Sequence, residues 1–92
     1  MLRFLWDRDK ADTNLRKQGV DFHEAATAFG DFLSITIPDP AHSISEERWL
    51  LLGQSLTGRL LVVAYTEDRD EIRIISARAA TRRERQTYEE DR

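Results

Sequence analysis

Apolar and polar positions along this chain change period several times, and each change marks an element. Leu2 to Trp6 is a short apolar stretch with strand character. Asp7 or Asp9 then supplies an N-cap for a helix running to about Gln18, and Gly19 stands where helices commonly end. This helix has only Ala11 and Leu15 to bury, so it is expected on the surface. A second helix opens with an acid-first capping arrangement, Asp21 and Glu24, and with Val20 placed to staple against Ala25. Phe22, Ala25, Ala26 and Phe29 recur at helical spacing before Gly30 ends the run.

From Leu33 the period becomes two. Leu33, Ile35 and Ile37 alternate with Ser34 and Thr36, which reads as a half-buried strand stopped by Pro38 and Pro40. The stretch from Asp39 to Glu46 is polar and loop-like. Arg48 to Gln54 and Leu60 to Thr66 read as strands joined by a hairpin at Thr57-Gly58. A tight turn over Asp68 to Asp70 leads into a strand from Glu71 to Ala77. Thr81 and Glu84 form a capping box that opens a last helix reaching about Glu90. The predicted order β-α-α-β-β-β-β-α, with strands joined by short turns, implies an α+β fold with a mostly antiparallel sheet.

Length and charge refine this picture. The 92 residues are read as one domain, 1–92. A domain of this size buries roughly 60–65% of the surface its unfolded chain exposes, so an active site should be a shallow groove rather than a deep chamber. There is no cysteine, hence no disulfide and no thiolate metal site, in keeping with a cytoplasmic location. The N-terminus meets Asp7 too early for a signal-peptide apolar region, and the longest apolar run, Leu60 to Tyr65, is far short of a membrane span. The net charge is −3, which by itself argues against a nucleic-acid binder. Its distribution says otherwise, because residues 72–85 hold five arginines against Glu84 alone and carry net +4.

Several stretches resemble the BrnT family of toxin–antitoxin ribonucleases. They are Phe4-Leu5-Trp6-Asp7, then Lys10, Asn14 and Lys17, then Gly19 through Ala26; Glu47-Arg48, Gly53 and Leu60 through Val63 continue the likeness. Ile72 through Thr81, followed by Glu84 and Tyr88, is the most specific part. The resemblance implies a RelE-like fold, metal-independent RNA cleavage without a cofactor, and neutralisation by a BrnA-like antitoxin. Such an antitoxin carries a ribbon-helix-helix DNA-binding region, so promoter DNA would be bound only through it, with the complex repressing its own promoter. One departure stands out: family members usually have Lys-His-Gly at the end of the first helix, where this chain has Lys17-Gln18-Gly19. If that histidine serves catalysis, this chain is a weakened nuclease, or a toxin-fold binding module acting as antitoxin partner and corepressor.

Metal-free RNA cleavage needs proton transfer at two oxygens and cations around the crowded phosphorane, for which arginine is suited by its permanent charge and fork of donors. Arg82 and Arg83 fall in the first turn of the last helix, where the helix dipole disfavours cations by roughly 0.3–1 kcal/mol each. That placement, with Arg78 just upstream, suggests a phosphate site at a helix N-terminus. Arg85 is read instead as a solvated charge pairing with Glu89. Arg73 is a candidate RNA contact or a cross-strand ion pair. On strict alternation it faces away from Arg78, and a bulge near Ala77 would reunite them. Lys10, Asn14 and Lys17 share one helix face, so Lys17 either contacts RNA or solvates that face. Tyr88 either stacks on a base or donates a proton at the catalytic site, or else anchors its helix. His23 and His42 lack metal-ligand spacing and are read as structural, and Trp6 and Trp49 as core residues.

Overall fold

The structure is a computed structural model and describes residues 2–39 and 47–91. Nine elements follow the predicted order, with one short addition. They are β1 (Arg3–Leu5), α1 (Arg8–Gln18), α2 (Phe22–Thr27), a 3-10 turn (Ala28–Gly30), β2 (Ile35–Pro38), β3 (Trp49–Gln54), β4 (Leu60–Asp68), β5 (Glu71–Ala79) and α3 (Arg82–Glu90). The strands form one sheet in the order β1-β5-β4-β3-β2. The pairings β2–β3, β3–β4 and β4–β5 are antiparallel and β1–β5 is parallel, so the sheet is mixed, as a mostly antiparallel α+β fold allows.

Local chemistry explains most element ends. The Asp7 carboxylate accepts from the N–H groups of Asp9 and Lys10, and Gly19 closes α1 in the left-handed region at φ 70°, where a side chain would be strained. Asp21 caps α2 by accepting from the His23 N–H. Glu24 does not complete that capping arrangement. It turns instead to the hairpin between β3 and β4, where Ser55, Thr57 and Arg59 all donate to its carboxylate. The hairpin itself turns on Gly58 at φ 90°, whose N–H donates to the Ser55 carbonyl.

One face of the sheet carries the core. Val20, Phe22, Ala25 and Ala28 pack against Leu51, Leu61, Val63, Tyr65, Ile72, Ile74 and Ala77, with Phe4, Trp6, Phe29 and Trp49 partly buried around them. The Val20–Ala25 staple and the Phe22/Ala25 face are therefore as the spacing predicts, and both tryptophans belong to the core rim. Gly53 leaves room for this packing, because a Cβ there would lie 2.9 Å from the Ala28 carbonyl oxygen.

Two expectations fail on this surface. In α1 Ala11 packs against the core as expected, but the fully buried residue is Asn14, while Leu15 remains 47% exposed. The edge strand β2 starts at Ile35 rather than Leu33, and instead of being half-buried it leaves Leu33 and Ile37 46% and 51% exposed. The alternation there is real, but the face it marks lies opposite the core, bordered by Glu84 and Thr87 of α3. His42 and the polar loop over 40–46 lie outside the described residues.

Candidate functional site

The site is built by an irregularity in β5. Register runs from Ala79 opposite Leu61 to Ser76 opposite Ala64, then resumes with Ile74 opposite Tyr65, so Ile75 is an extra residue in this strand. Burial changes phase at the same point: Ile72 and Ile74 face the core before the bulge, and Ala77 after it. Arg73 and Arg78, an odd number of residues apart, consequently share the face opposite the core. This is the reunion that strict alternation forbids, and the bulge lies two residues before the anticipated position at Ala77.

α1 forms the wall beside that face. Strand β1 pairs with β5 only over Glu71 to Arg73, which leaves the edge of β5 beyond it without a strand neighbour. The buried Asn14 carboxamide takes over there. Its Nδ2 donates to the Ala77 and Val20 carbonyls at 2.9 and 3.0 Å, and its Oδ1 accepts from the Ala77 N–H at 3.1 Å. A side-chain amide thus replaces a peptide group of a missing strand and satisfies backbone that would otherwise be buried unpaired. Helix α1 is pinned to β5 by this contact, and Lys10 and Lys17, on either side of Asn14, are held above the strand.

The result is an open trough of linked depressions. The largest, about 310 Å³, is lined by Asp9, Lys10, Thr13, Asn14, Lys17, Gln18 and Ile75. It continues toward Arg73 past Leu5, Trp6 and Asp7, and in the other direction toward Ser76, Val62 and Arg78 past Gln18. The shallow form anticipated from chain length holds. The exposed side chains of Lys10, Lys17 and Arg73 make no hydrogen bond or ion pair with the described residues, whereas Arg3 and Arg59 are matched to Glu71 and Glu24. Among the described residues, the acids that line the trough are Asp9 beside Lys10 and Asp7 on the way to Arg73. Among the described residues Arg73 makes no cross-strand ion pair, and it faces Thr66 in the register.

Arg78 is held differently. Its guanidinium donates to both oxygens of Glu84 at 2.8 and 2.9 Å and to the Ala79 carbonyl at 3.3 Å, which leaves Nε–H and one Nη2–H available. Arg78 beside it, chiefly through these hydrogen bonds, lowers the Glu84 carboxyl from 4.5 to about 2. Glu84 also accepts from the Thr81 N–H and Thr81 from the Glu84 N–H, completing the predicted capping box. Through Glu84, then, Arg78 is brought to the first turn of α3, where the exposed Arg82 and Arg83 side chains make no bond with the described residues. The Arg85–Glu89 pair does not form; each side chain is exposed on its own.

Tyr88 does not share this exposure. Its ring is 4% exposed, and its hydroxyl donates to Asp31, which also accepts from the N–H groups of Leu33 and Gln54. The tyrosine therefore fixes the far end of α3 to the start of β2 and the end of β3. His23 is on another surface, edge-on to Trp6 at 4.8 Å. Among the described residues no group of three or more His, Asp or Glu is gathered to hold a metal ion, and no helix is long and apolar enough to cross a membrane. The feature that sequence reading missed is Asn14, whose polar neighbours gave no sign of a partner 63 residues away.

Comparison with known proteins bears on the family and the fold. Residues 6–84 match a family model described as "Ribonuclease toxin, BrnT, of type II toxin-antitoxin system". Among solved structures, the crystal structure of the Brucella abortus ribonuclease toxin BrnT is similar, with 26% identity and a TM-score of 0.69. That match covers 89% of this chain and all of the Brucella chain. A search of curated protein sequences gives no match.

Proposed function

The chain belongs to the BrnT family of ribonuclease toxins of type II toxin–antitoxin systems, and from that premise we propose that it cuts RNA along the α1–β5 trough as a metal-independent endoribonuclease. The observation that carries the reading is the bulge at Ile75, which sets Arg73 and Arg78 on one face below Lys10 and Lys17. A single-stranded backbone would lie along the strand, with Lys17 and Arg73 neutralising phosphates on either side of the one that reacts.

At that phosphate the ribose 2′-oxygen attacks phosphorus, a P–O2′ bond forms and the P–O5′ bond breaks. The 2′-hydroxyl proton leaves to solvent or a nearby base, and the departing 5′-oxygen takes up a proton. The two remaining Arg78 donors, with Arg82 and Arg83 at the α3 terminus, would stabilise the added charge on the phosphorane. Glu84 orients Arg78, and its lowered pKa keeps it anionic, so it takes no part in proton transfer at neutral pH. We assign Tyr88 a positioning role, since its hydroxyl is committed to Asp31.

Cleavage of a long RNA in EDTA by wild type and by Arg82→Ala/Arg83→Ala tests this reading. Activity that persists in the chelator and falls about 100-fold or more in the variant is expected. Activity lost in EDTA refutes the metal-free chemistry, and an unaffected variant removes the α3 terminus from the site.

A second reading is favoured by Gln18, whose side chain lines the trough between Lys17 and Arg78. A glutamine accepts and donates hydrogen bonds but does not exchange a proton near pH 7, and general acid–base catalysis typically contributes about 10²–10⁴-fold. The chain would then be a slow nuclease acting mainly as antitoxin partner and corepressor. In that case Gln18→His should raise the cleavage rate by about tenfold or more and introduce a pH optimum, and an unchanged rate would dismiss this reading. Under either reading we assign as partner a BrnA-like antitoxin with a ribbon-helix-helix region. It would inhibit the toxin in the cytoplasm and carry the complex to its own promoter. Promoter binding by the complex, and none by the toxin alone, is the expected result in a mobility-shift assay.

A further inference from the structure

The trough does not end at Arg78. Register places Ile35, Leu52, Val62 and Arg78 side by side across four strands, and Ile37, Leu50, Ala64 and Ser76 in the next row. Both rows lie on the face opposite the core, since Leu51 and Gly53 point the other way. They are aliphatic on β2, β3 and β4 and turn polar only at β5. Strands are about 4.8 Å apart, so the aliphatic terrace is roughly 10 Å across, the diameter of a single α-helix. Glu84 and Thr87 of α3 wall one side.

We infer that this terrace is the seat of one amphipathic helix of the antitoxin, laid beside α3 with acidic residues at the end that meets Arg78, Arg82 and Arg83. The inference rests on the reading above that an antitoxin holds this chain. Three observations favour this occupant. The terrace carries no aromatic ring on which a base would stack, so it suits apolar side chains rather than RNA. β2 is only four residues long and ends in Pro38, which makes its edge a poor template for an added strand. Arg78 ends the Ile35–Leu52–Val62 row on the β5 side, with Arg82 and Arg83 close by on α3, which orients an acidic partner. Val62 lines both the terrace and the trough, so a helix seated there also blocks the path of RNA past Arg78.

The test is titration of the purified cognate antitoxin, by calorimetry, into wild type, Ile37→Asp and Ile37→Val. Ile37 is 51% exposed, so the folded state tolerates either change, and matching melting temperatures verify it. Ile37→Asp should weaken antitoxin binding by at least about tenfold, with Ile37→Val near wild type and RNA cleavage unaltered in both. Antitoxin affinity unchanged in Ile37→Asp overturns the seat while leaving the antitoxin reading standing. A wild-type toxin with no affinity for the antitoxin overturns that reading itself. Loss of RNA cleavage with antitoxin affinity intact would give the terrace to RNA, and a wild-type dimer that Ile37→Asp dissociates would give it to a second copy.

Discussion

Asn14 shows how much one polar side chain can decide. Buried at 7% exposure, it satisfies three backbone groups at once and fixes the helix that carries Lys10 and Lys17. Replacing it by alanine leaves those groups buried and unpaired, a loss of about 2–4 kcal/mol. For a domain of this size that lowers Tm by more than about 10 °C, measurable by thermal denaturation. Gly53 makes a second test at this scale. A methyl group there meets the Ala28 carbonyl oxygen at 2.9 Å and Leu51 Cδ2 at 3.0 Å, so Gly53→Ala should cost about 1–3 kcal/mol by denaturant titration. Neither role is visible in a pattern of spacings. Asn14 shares a helix face with Lys10 and Lys17 and reads there as solvated; only the missing strand beyond β1 makes it structural. Gly53 sits in an apolar run where its absence of a side chain has no local consequence.

Among the elements, helix caps and turns were legible because local chemistry sets them, whereas strand ends, which depend on the neighbouring strand, moved by one or two residues. Asp7, Gly19, Asp21, Gly58 and the Thr81–Glu84 box all act where their residue types predict. Long-range choices were less legible: Glu24 forgoes its own helix for Arg59, and the bulge considered near Ala77 falls at Ile75, where the register with β4 puts it. These choices have a pH signature. Hydrogen bonds from Arg59 hold Glu24, and those from Arg78 hold Glu84, at about 2 against an ordinary 4.5. Both carboxyls bind protons more readily when unfolded, so the stability they contribute is complete above about pH 4.5 and lost as pH falls toward 2. Tm should therefore fall across that window, and Glu24→Gln should flatten the fall; a Tm constant from pH 5 to 2.5 would contradict the ion-pair account. The β4–β5 turn offers an opposite effect. Arg69 stands at φ 57°, a region that favours glycine, and Arg69→Gly should raise stability by about 0.5 kcal/mol in a denaturant titration.

For the whole molecule, local charge outweighs total charge. An acidic chain of net −3 concentrates Lys10, Lys17 and Arg73, unpaired among the described residues, along one trough and ends it at the arginine-bearing start of α3. The arginine-rich segment was plain in the sequence. For α1 the sequence left Lys17 open between RNA contact and solvation, because the place of that helix depends on Asn14 holding it at the edge of the sheet. The β2 part of the aliphatic terrace, too, reads in the sequence as a half-buried strand face, because its spacing does not reveal that the sheet order places β2 at the edge. The central claim, that the α1–β5 trough is where RNA is held, is tested most directly by single-turnover cleavage in EDTA over a series of salt concentrations. Wild type would be compared with Lys17→Ala/Arg73→Ala and with Arg16→Ala/Arg85→Ala, a charge-matched pair outside the trough. The trough variant is predicted to bind RNA at least about tenfold more weakly, with a salt dependence shallower by about 1.4 in log–log slope, and the control to match wild type. Equal losses in the two variants, or none in the first, would contradict the account.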